Sequence, residues 1–171
     1  MKILFLTKYT SKGANSRYRS YNYKKWFEKE GVEVSYSPLF NDFYFRYLHG
    51  NILMKNMVAF WCMIKRVFYL FFHVQKYDHV VIEYELFPKL PLGFELFFLK
   101  KIKSFSLDFD DNISANYAGT SLQNKIPELM KLAKFVTVGN RWYISEFQGN
   151  LIFLPTVIDL DKYPLCGLQK E

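Results

Sequence analysis

The chain has 171 residues, half of them hydrophobic and a fifth aromatic, and this composition excludes a disordered tail and favours one buried core. Its net charge of +7 favours anionic partners such as anionic lipid or substrate phosphates, but the lack of a long basic run argues against nucleic-acid binding. The two cysteines, Cys62 and Cys166, lie far apart without a CxxC motif. Neither a disulfide framework nor a zinc site is therefore indicated, and we expect a reducing, cytoplasmic setting.

A strand, a glycine-bearing loop and a helix are predicted at the start of the chain. Residues 2–7 form a short apolar run, and residues 32–37 alternate apolar with polar side chains, so both are predicted strands. The spacing of apolar residues in SRYRSYNYKKWFEKEG predicts one helix between them. Asn15 or Ser16 is expected to cap this helix, and Gly31 is well placed to end it.

Residues 42–77 form a long aromatic-rich segment without proline, which predicts one or two helices broken near residues 49–51. The stretch MVAFWCMIKRVFYLFFHV is apolar enough to suggest a membrane span. However, Lys65 and Arg66 stand at its middle, and a charge at the bilayer centre costs about 2.5 to 3.5 kcal/mol. We therefore do not expect this segment to cross a membrane.

Aromatic side chains stand beside cations throughout this segment, and two interpretations of them remain open. They either cover the sheet, or they rest in the headgroup layer of an anionic membrane that the domain meets peripherally, at the inner face of the cell membrane. The membrane hypothesis requires several of these side chains to face solvent: Phe43, Phe45, Tyr47, Trp61, Phe68, Phe71 and Phe72.

The rest of the chain alternates predicted strands with predicted helices, which indicates an α/β fold. We expect a doubly wound, mainly parallel Rossmann-like sheet with helices on both faces. The later strands are predicted at 78–85, 103–110, 134–140 and 150–156, with helices over PLGFELFFLKK and SLQNKIPELMKLA between them.

Ligands of such sheets bind at the carboxyl ends of the strands, so polar residues that follow strands are site candidates. The residues expected at this crevice are Gly13, Glu83, Glu85, Asp108, Asp110, Asp111, Gly139, Asn140 and Arg141.

The loop KYTSKGANSRYR, which follows the first predicted strand, suits a phosphate or a sugar. Gly13 lets backbone approach a ligand, Ser16 opens the helix, and Arg17 and Arg19 are fixed donors. Neither GxGxxG nor GxxxxGK[ST] is present, so no dinucleotide fingerprint or P-loop is indicated. The alternative is that Gly13 only makes a turn and the arginines pair with nearby carboxylates.

The segment DFDD places three carboxylates together, which suggests a metal-held nucleotide diphosphate, an aspartyl-phosphatase pair, or ligands of sugar hydroxyls. Its position on the fourth predicted strand disfavours the phosphatase. The alternative is that Asp108 or Asp110 pairs with Arg17 or Arg19 across the crevice. We expect Arg17 or Arg19 to lie within salt-bridge reach of Asp108, Asp110 or Glu85, because the ends of the first and fourth strands are predicted neighbours.

The segment IEYELFP is predicted to place Glu83 and Glu85 on one side of a strand end and Tyr84 on the other. Either glutamate suits a catalytic base or a ligand of a hydroxyl group. The alternative is a salt bridge.

Five segments together resemble the N-terminal domain of bacterial family 4 glycosyltransferases, which have the GT-B fold of two Rossmann domains. They are KILFLTKYTSKGANSRYRSYNY, VVIEYELFP, DFDDNI, AKFVTVGNRWY and NLIFLPTVIDLDKYP, and the match runs nearly end to end. The resemblance implies that residues 1–156 are the acceptor-side domain. It further implies that residues 157–171 are a hinge leading to a donor-binding domain that this sequence lacks.

The resemblance also implies transfer of a sugar from a nucleotide-sugar donor to a glycan or lipid-linked acceptor in surface polysaccharide synthesis. No metal or other cofactor is required. Many members have a histidine near the reacting centre where this chain has glutamates, so the resemblance does not identify the catalytic group. The expected catalytic residues are Glu85 and Asp110, and the expected substrate-binding residues are Gly13, Ser16, Arg17, Arg19, Glu83, Asp108, Asp111, Gly139, Asn140 and Arg141.

A small flavodoxin-like binding module for a phosphorylated ligand is the alternative function. A response regulator is disfavoured, because the chain shows neither an acidic pair after the first strand nor a lone aspartate after the third.

Overall fold

A computed structural model describes residues 1–48 and 50–158 of the chain. Of the predicted hinge, only residues 157 and 158 are described, and Cys166 lies outside the described residues. The strands are β1 (Lys2–Leu6), β2 (Glu33–Tyr36), β3 (His79–Glu83), β4 (Phe105–Phe109), β5 (Val136–Val138) and β6 (Leu151–Phe153).

These six strands form one sheet in the order β2-β1-β3-β4-β5-β6, and every pair is parallel. The predicted α/β, Rossmann-like architecture is confirmed. The prediction that β1 and β4 are neighbours is wrong, because β3 lies between them. The order reverses at β1, which is flanked by β2 on one side and β3 on the other, so the carboxyl ends of β1 and β3 are the topological switch point at which ligands are expected.

The helices cover both faces of the sheet. Phe27 of the second helix packs on Phe5, whereas the fourth, fifth and sixth helices pack on the opposite face, around Leu4 and Leu6. The helices are α1 (Ala14–Arg19), α2 (Lys24–Lys29), α3 (Asp42–Tyr47), α4 (Ile52–His73), α5 (Leu92–Leu99), α6 (Lys125–Leu132) and α7 (Trp142–Glu146).

The single helix predicted before β2 is in fact two, α1 and α2, joined by a 3-10 turn at Tyr21–Tyr23. The break falls at Ser20, whose carbonyl accepts a hydrogen bond from Tyr36 Oη at 3.2 Å. Tyr21 stacks on the same ring at 4.4 Å. Contact with β2 therefore interrupts a segment that is locally helical.

Helix ends follow the predictions in part. The capping prediction for the first helix is wrong, because α1 begins after Gly13 without a side-chain cap. Gly31 ends α2 with φ of 71°, a conformation that glycine adopts without steric cost, as predicted. The predicted break before α4 is confirmed, and Asn51 Oδ1 caps that helix by accepting from the amides of Leu53 and Met54.

Candidate functional site

A cavity of about 380 Å³ opens at the switch point between the carboxyl ends of β1 and β3. Its walls combine carboxylates, lysines and aromatic rings. The residues that line it are Lys8, Leu39, Glu83, Tyr84, Glu85, Pro88, Lys89, Ile113, Asn116 and Tyr117.

Backbone strain is concentrated at this cavity. Within residues 1–48 and 50–158, the only non-glycine residues with positive φ are Tyr84 and Lys89, both at 66° and both in the cavity wall. Such a conformation costs about 1 to 3 kcal/mol and persists where the surroundings hold it, which is common at binding and catalytic sites. The turn at Tyr84 also ends the strand alternation, so Glu83 and Glu85 do not share one side as predicted but bind different partners.

Glu83 is buried at the end of β3, yet one of its oxygens is unpaired. Its Oε2 accepts from Ser16 Oγ at 2.7 Å and from the amide of Lys8 at 3.0 Å, whereas Oε1 has no hydrogen-bond partner. Burial raises the pKa of Glu83 to about 7, and the nearby carboxylates of Asp108 and Asp110 raise it further by smaller amounts. The two hydrogen bonds lower the pKa but only partly offset the effect of burial. This carboxyl can therefore take up or release a proton near neutral pH.

We expect Glu83→Gln to flatten the pH dependence of stability. The folded pKa lies above the unfolded value of 4.5, so the stability linked to Glu83 is complete below about pH 4.5 and is lost as pH rises through about 7. The glutamine side chain does not titrate, so the variant should not show this pH-dependent loss of stability, which is roughly 3 kcal/mol at pH 8. Urea unfolding of the wild type and the variant at pH 5 and pH 8 measures the difference in unfolding free energy.

Glu28→Gln is the matched control for this experiment, because Glu28 is exposed and pairs with Lys24 at the surface. Its free energy of unfolding should change little at either pH. Equal destabilisation by Glu83→Gln at both pH values would contradict the assigned protonation of Glu83.

Glu85, a predicted catalytic residue, lines the same cavity but belongs to a closed buried network. Lys125 Nζ donates to Glu85 Oε2 at 2.6 Å, to Glu95 Oε1 at 2.7 Å and to the carbonyl of Phe87 at 2.8 Å. Tyr117 Oη donates to Glu85 Oε1 at 2.7 Å. Glu85 therefore shares one cation with Glu95 and has both oxygens engaged in hydrogen bonds, so neither oxygen is free to bind a substrate hydroxyl.

Arg19 and Asp108 form a second buried pair, which confirms the predicted salt bridge between these segments. Arg19 donates through Nη2 to Asp108 Oδ1 at 2.5 Å and through Nε to Oδ2 at 2.9 Å. Thr137 Oγ1 also donates to Asp108, and Arg19 Nη1 donates to the carbonyl of Leu154, each at 2.5 Å. The pair ties α1 to β4 and to the segment after β6.

Asp110, the other predicted catalytic residue, is half-buried and accepts hydrogen bonds from Tyr84 Oη and from the amide of Asp111. Burial raises its pKa. Asn15 Nδ2 donates to Tyr84 Oη at 2.9 Å and to Asp111 Oδ2 at 3.3 Å. These contacts hold Tyr84 in its strained conformation beside the cavity.

Two predicted glycines serve close packing. A Cβ on Gly13 would lie 2.6 Å from Tyr9 Cβ, and a Cβ on Gly139 would lie 3.2 Å from Asp110 Cα and 3.3 Å from Arg19 Nη1. The sequence predicted that the Gly13 backbone would approach a ligand. The structure instead places the Tyr9 side chain against it.

The remaining predicted residues lie outside the cavity wall. Arg17 lies over the ring of Tyr18 at 4.9 Å, and Arg141 over that of Phe153 at the same distance. Asn140 Oδ1 accepts from the amide of Trp142 at the start of α7. Within the part of the chain that the structure describes, no group of three or more metal-ligating side chains occurs.

No family model, curated protein or solved structure matches the chain.

The cavity wall also contains residues that sequence reasoning missed, namely Lys8, Tyr84, Lys89, Asn116 and Tyr117. Lys125 and Glu95 behind it were missed as well. Glu95 carried one signal, because it is the single carboxylate in the apolar run GFELFFL. The others resemble ordinary surface residues, and only the fold brings them to one place.

Proposed function

We propose that the chain is the acceptor-side domain of a cytoplasmic glycosyltransferase that moves a sugar from a nucleotide-sugar donor to a glycan or lipid-linked acceptor in surface polysaccharide synthesis. One observation supports it above the others: the cavity lies at the switch point of the sheet and combines carboxylates, lysines and aromatic rings. Such walls offer hydrogen bonds to hydroxyl groups and flat apolar surfaces to sugar rings. The resemblance supplies the reaction class.

In this reaction an acceptor hydroxyl attacks the anomeric carbon of the donor sugar. The bond from that carbon to the nucleotide phosphate breaks, and the nucleotide leaves with the electron pair. Glu83 is the group best suited to receive the hydroxyl proton, because it lines the cavity, has an unpaired oxygen and a pKa of about 7. It takes the role first expected of Glu85, whose oxygens are engaged by Lys125 and Tyr117. The proposal involves no metal or other cofactor.

We expect the 171-residue chain by itself to unfold cooperatively but not to transfer sugar, because the resemblance places nucleotide-sugar binding in a second domain. Calorimetry measures the first property. A panel of nucleotide-sugars, assayed with the chain alone and with the chain joined to a donor-binding domain, measures the second. Sugar transfer by the chain alone would contradict the assignment of donor binding to a second domain.

The role of the cavity is tested in the two-domain protein by filling it. Asn116→Trp, in the cavity wall, should lower kcat/KM for the acceptor at least tenfold. Gln123→Trp, at an exposed position outside the wall, is the matched control and should leave kcat/KM unchanged. Equal activity of the two variants would remove the cavity from the proposal.

A phosphate-binding module is the second candidate, favoured by the strand order. The order β2-β1-β3-β4-β5 is that of flavodoxin-like folds, which bind their ligand at the switch point between β1 and β3. Lys8 and Lys89 line the cavity at this position. This candidate requires the isolated chain to bind a phosphorylated ligand and to lose that binding in Lys8→Ala. Calorimetric titration with nucleoside mono- and diphosphates separates it from the transferase proposal.

A further inference from the structure

Helix α4 is apolar on two opposite faces. Its inner face packs on the domain through Val58, Cys62, Arg66 and Leu70, and Arg66 Nη2 donates to the carbonyls of Thr7 and Ser37. Its outer face carries a second set of large apolar side chains at helical spacing, and these are exposed: Leu53, Met57, Phe60, Trp61, Phe68, Phe71 and Phe72.

This outer face is too large to be accidental. Phe60 is 61% exposed, Trp61 59% and Phe72 68%. By length and composition the segment Ile52–Lys76 is able to cross a membrane, and only 28% of its most apolar window is buried. A helix that is apolar on two opposite faces needs an apolar environment on its outer side as well as the core on its inner side. The alternative interpretation, in which the aromatics cover the sheet, is therefore wrong for the exposed rings, although Phe45 and Tyr47 are half-buried.

Helix α5 extends the same surface. Phe94 and Phe97 of α5 are exposed, and Lys101 Nζ lies 4.7 Å from the ring of Phe71 and 5.4 Å from that of Phe97. A cation thus bridges the aromatics of the two helices. We call the exposed apolar residues of α4, together with Phe94 and Phe97, the aromatic face.

The charged side chains of the segment from Phe43 to Tyr77 are all basic, and Asp42, just before it, pairs with Lys12. No Asp or Glu occurs between residues 43 and 77. Lys65 and Arg46 are exposed, and Arg46 lies over the ring of Phe43 at 5.9 Å. Beside them a groove of about 300 Å³ between α3 and α4 is lined by Phe43, Trp61 and Lys65, among others. This combination favours an anionic, partly apolar partner.

We propose that the aromatic face docks on anionic lipid, with α4 lying in the headgroup layer and the domain remaining on one side of the membrane. About 33 Å of helix then rests in the interface, with the aromatics inserted and the cations at the phosphates. The inner face stays on the sheet, where Arg66 is held by two carbonyls. This inference is independent of the proposed sugar transfer, because the chain alone is tested on lipid.

The first experiment is sedimentation of the 171-residue chain with vesicles of about 30% phosphatidylglycerol in phosphatidylcholine. We expect binding that weakens as salt rises from about 0.05 to 0.5 M, and much weaker binding to neutral vesicles. The double variant Phe60→Ser, Phe72→Ser should lower partitioning into anionic vesicles about tenfold or more, because the apolar area that each ring would bury in the lipid is lost. These side chains are exposed, so circular dichroism should remain unchanged.

Trp26→Ser is the matched control, because Trp26 is a 53% exposed aromatic with Lys25 and Lys29 beside its ring, on the opposite side of the sheet. It should leave partitioning unchanged. Two double variants test the role of charge. The double variant Arg46→Gln, Lys65→Gln should weaken vesicle binding about 25-fold. The double variant Lys24→Gln, Lys29→Gln should have little effect on vesicle binding.

Fluorescence locates the contact. The variant Trp26→Phe with Trp142→Phe retains Trp61, whose emission should shift to the blue on anionic vesicles. The variant Trp61→Phe with Trp142→Phe retains Trp26, whose emission should not shift. No binding to anionic vesicles at low salt overturns the proposal, and so does equal weakening by Trp26→Ser. A dimer that forms through this face without vesicle binding would assign it to a second copy instead.

Discussion

Lys125→Met is expected to cost the domain about 3 to 5 kcal/mol of unfolding free energy or to prevent folding. Lys125 is 3% exposed and supplies the cation that lies between two buried carboxylates, Glu85 and Glu95. Without it both carboxylates lose their counter-charge in a largely buried site, and burial already raises the pKa of Glu95. Chemical denaturation monitored by circular dichroism measures the loss.

The controls separate charge from packing. Lys131→Met removes a cation from an exposed pair with Glu128 and should cost less than about 1 kcal/mol. The triple variant Lys125→Met, Glu85→Gln, Glu95→Gln removes the uncompensated charges and should recover much of the loss. A soluble triple variant beside an insoluble single variant supports the same conclusion. A single variant within 1 kcal/mol of the wild type would refute it.

Arg19→Ala should destabilise the domain by a similar amount, about 3 to 5 kcal/mol. The arginine binds Asp108 through two nitrogens, and both side chains are buried. The substitution also removes the hydrogen bond to the carbonyl of Leu154, so the segment after β6 loses an attachment to α1. Urea unfolding at pH 7 is the measurement.

Two further variants test whether geometry or charge dominates at this pair. Arg19→Lys keeps the charge but not the two-nitrogen contact and should fall between Arg19→Ala and the wild type. Arg19→Ala with Asp108→Asn should be more stable than Arg19→Ala alone, because no buried charge is left unpaired. Arg46→Ala, an exposed arginine, should be nearly neutral. If Arg19→Ala proves equally neutral, the buried pair does not contribute as the geometry indicates.

The strands of the sheet were predictable because their signal is local. For β3 and β4 the apolar run itself fills the middle of a parallel sheet, and turn residues mark its ends. The helix before β2 shows where local signals fail. Its sequence favours a continuous helix. However, Tyr36 of β2 donates a hydrogen bond to the carbonyl of Ser20 and stacks on Tyr21, so a residue distant in sequence sets the position of the break.

The buried pair of Arg19 and Asp108 was predicted for a sound reason and an unsound one. The sound reason is that a buried carboxylate without a partner is costly, and two arginines occur in the loop and helix after the first strand. The unsound one was that β1 and β4 are neighbours. β3 lies between these two strands, and Arg19 contacts Asp108 from helix α1.

The sequence by itself determined the strands, the parallel α/β architecture and the placing of carboxylates at the carboxyl ends of β3 and β4, because these depend on local periodicity and on chain order. Only the tertiary structure decided which buried carboxylate keeps an oxygen without a hydrogen-bond partner. Lys125 engages Glu85 from a position 40 residues away, and Arg19 engages Asp108 from one 89 residues away. Glu83 Oε2 instead accepts hydrogen bonds from Ser16 Oγ and from the amide of Lys8, and burial raises the pKa of this carboxyl to about 7.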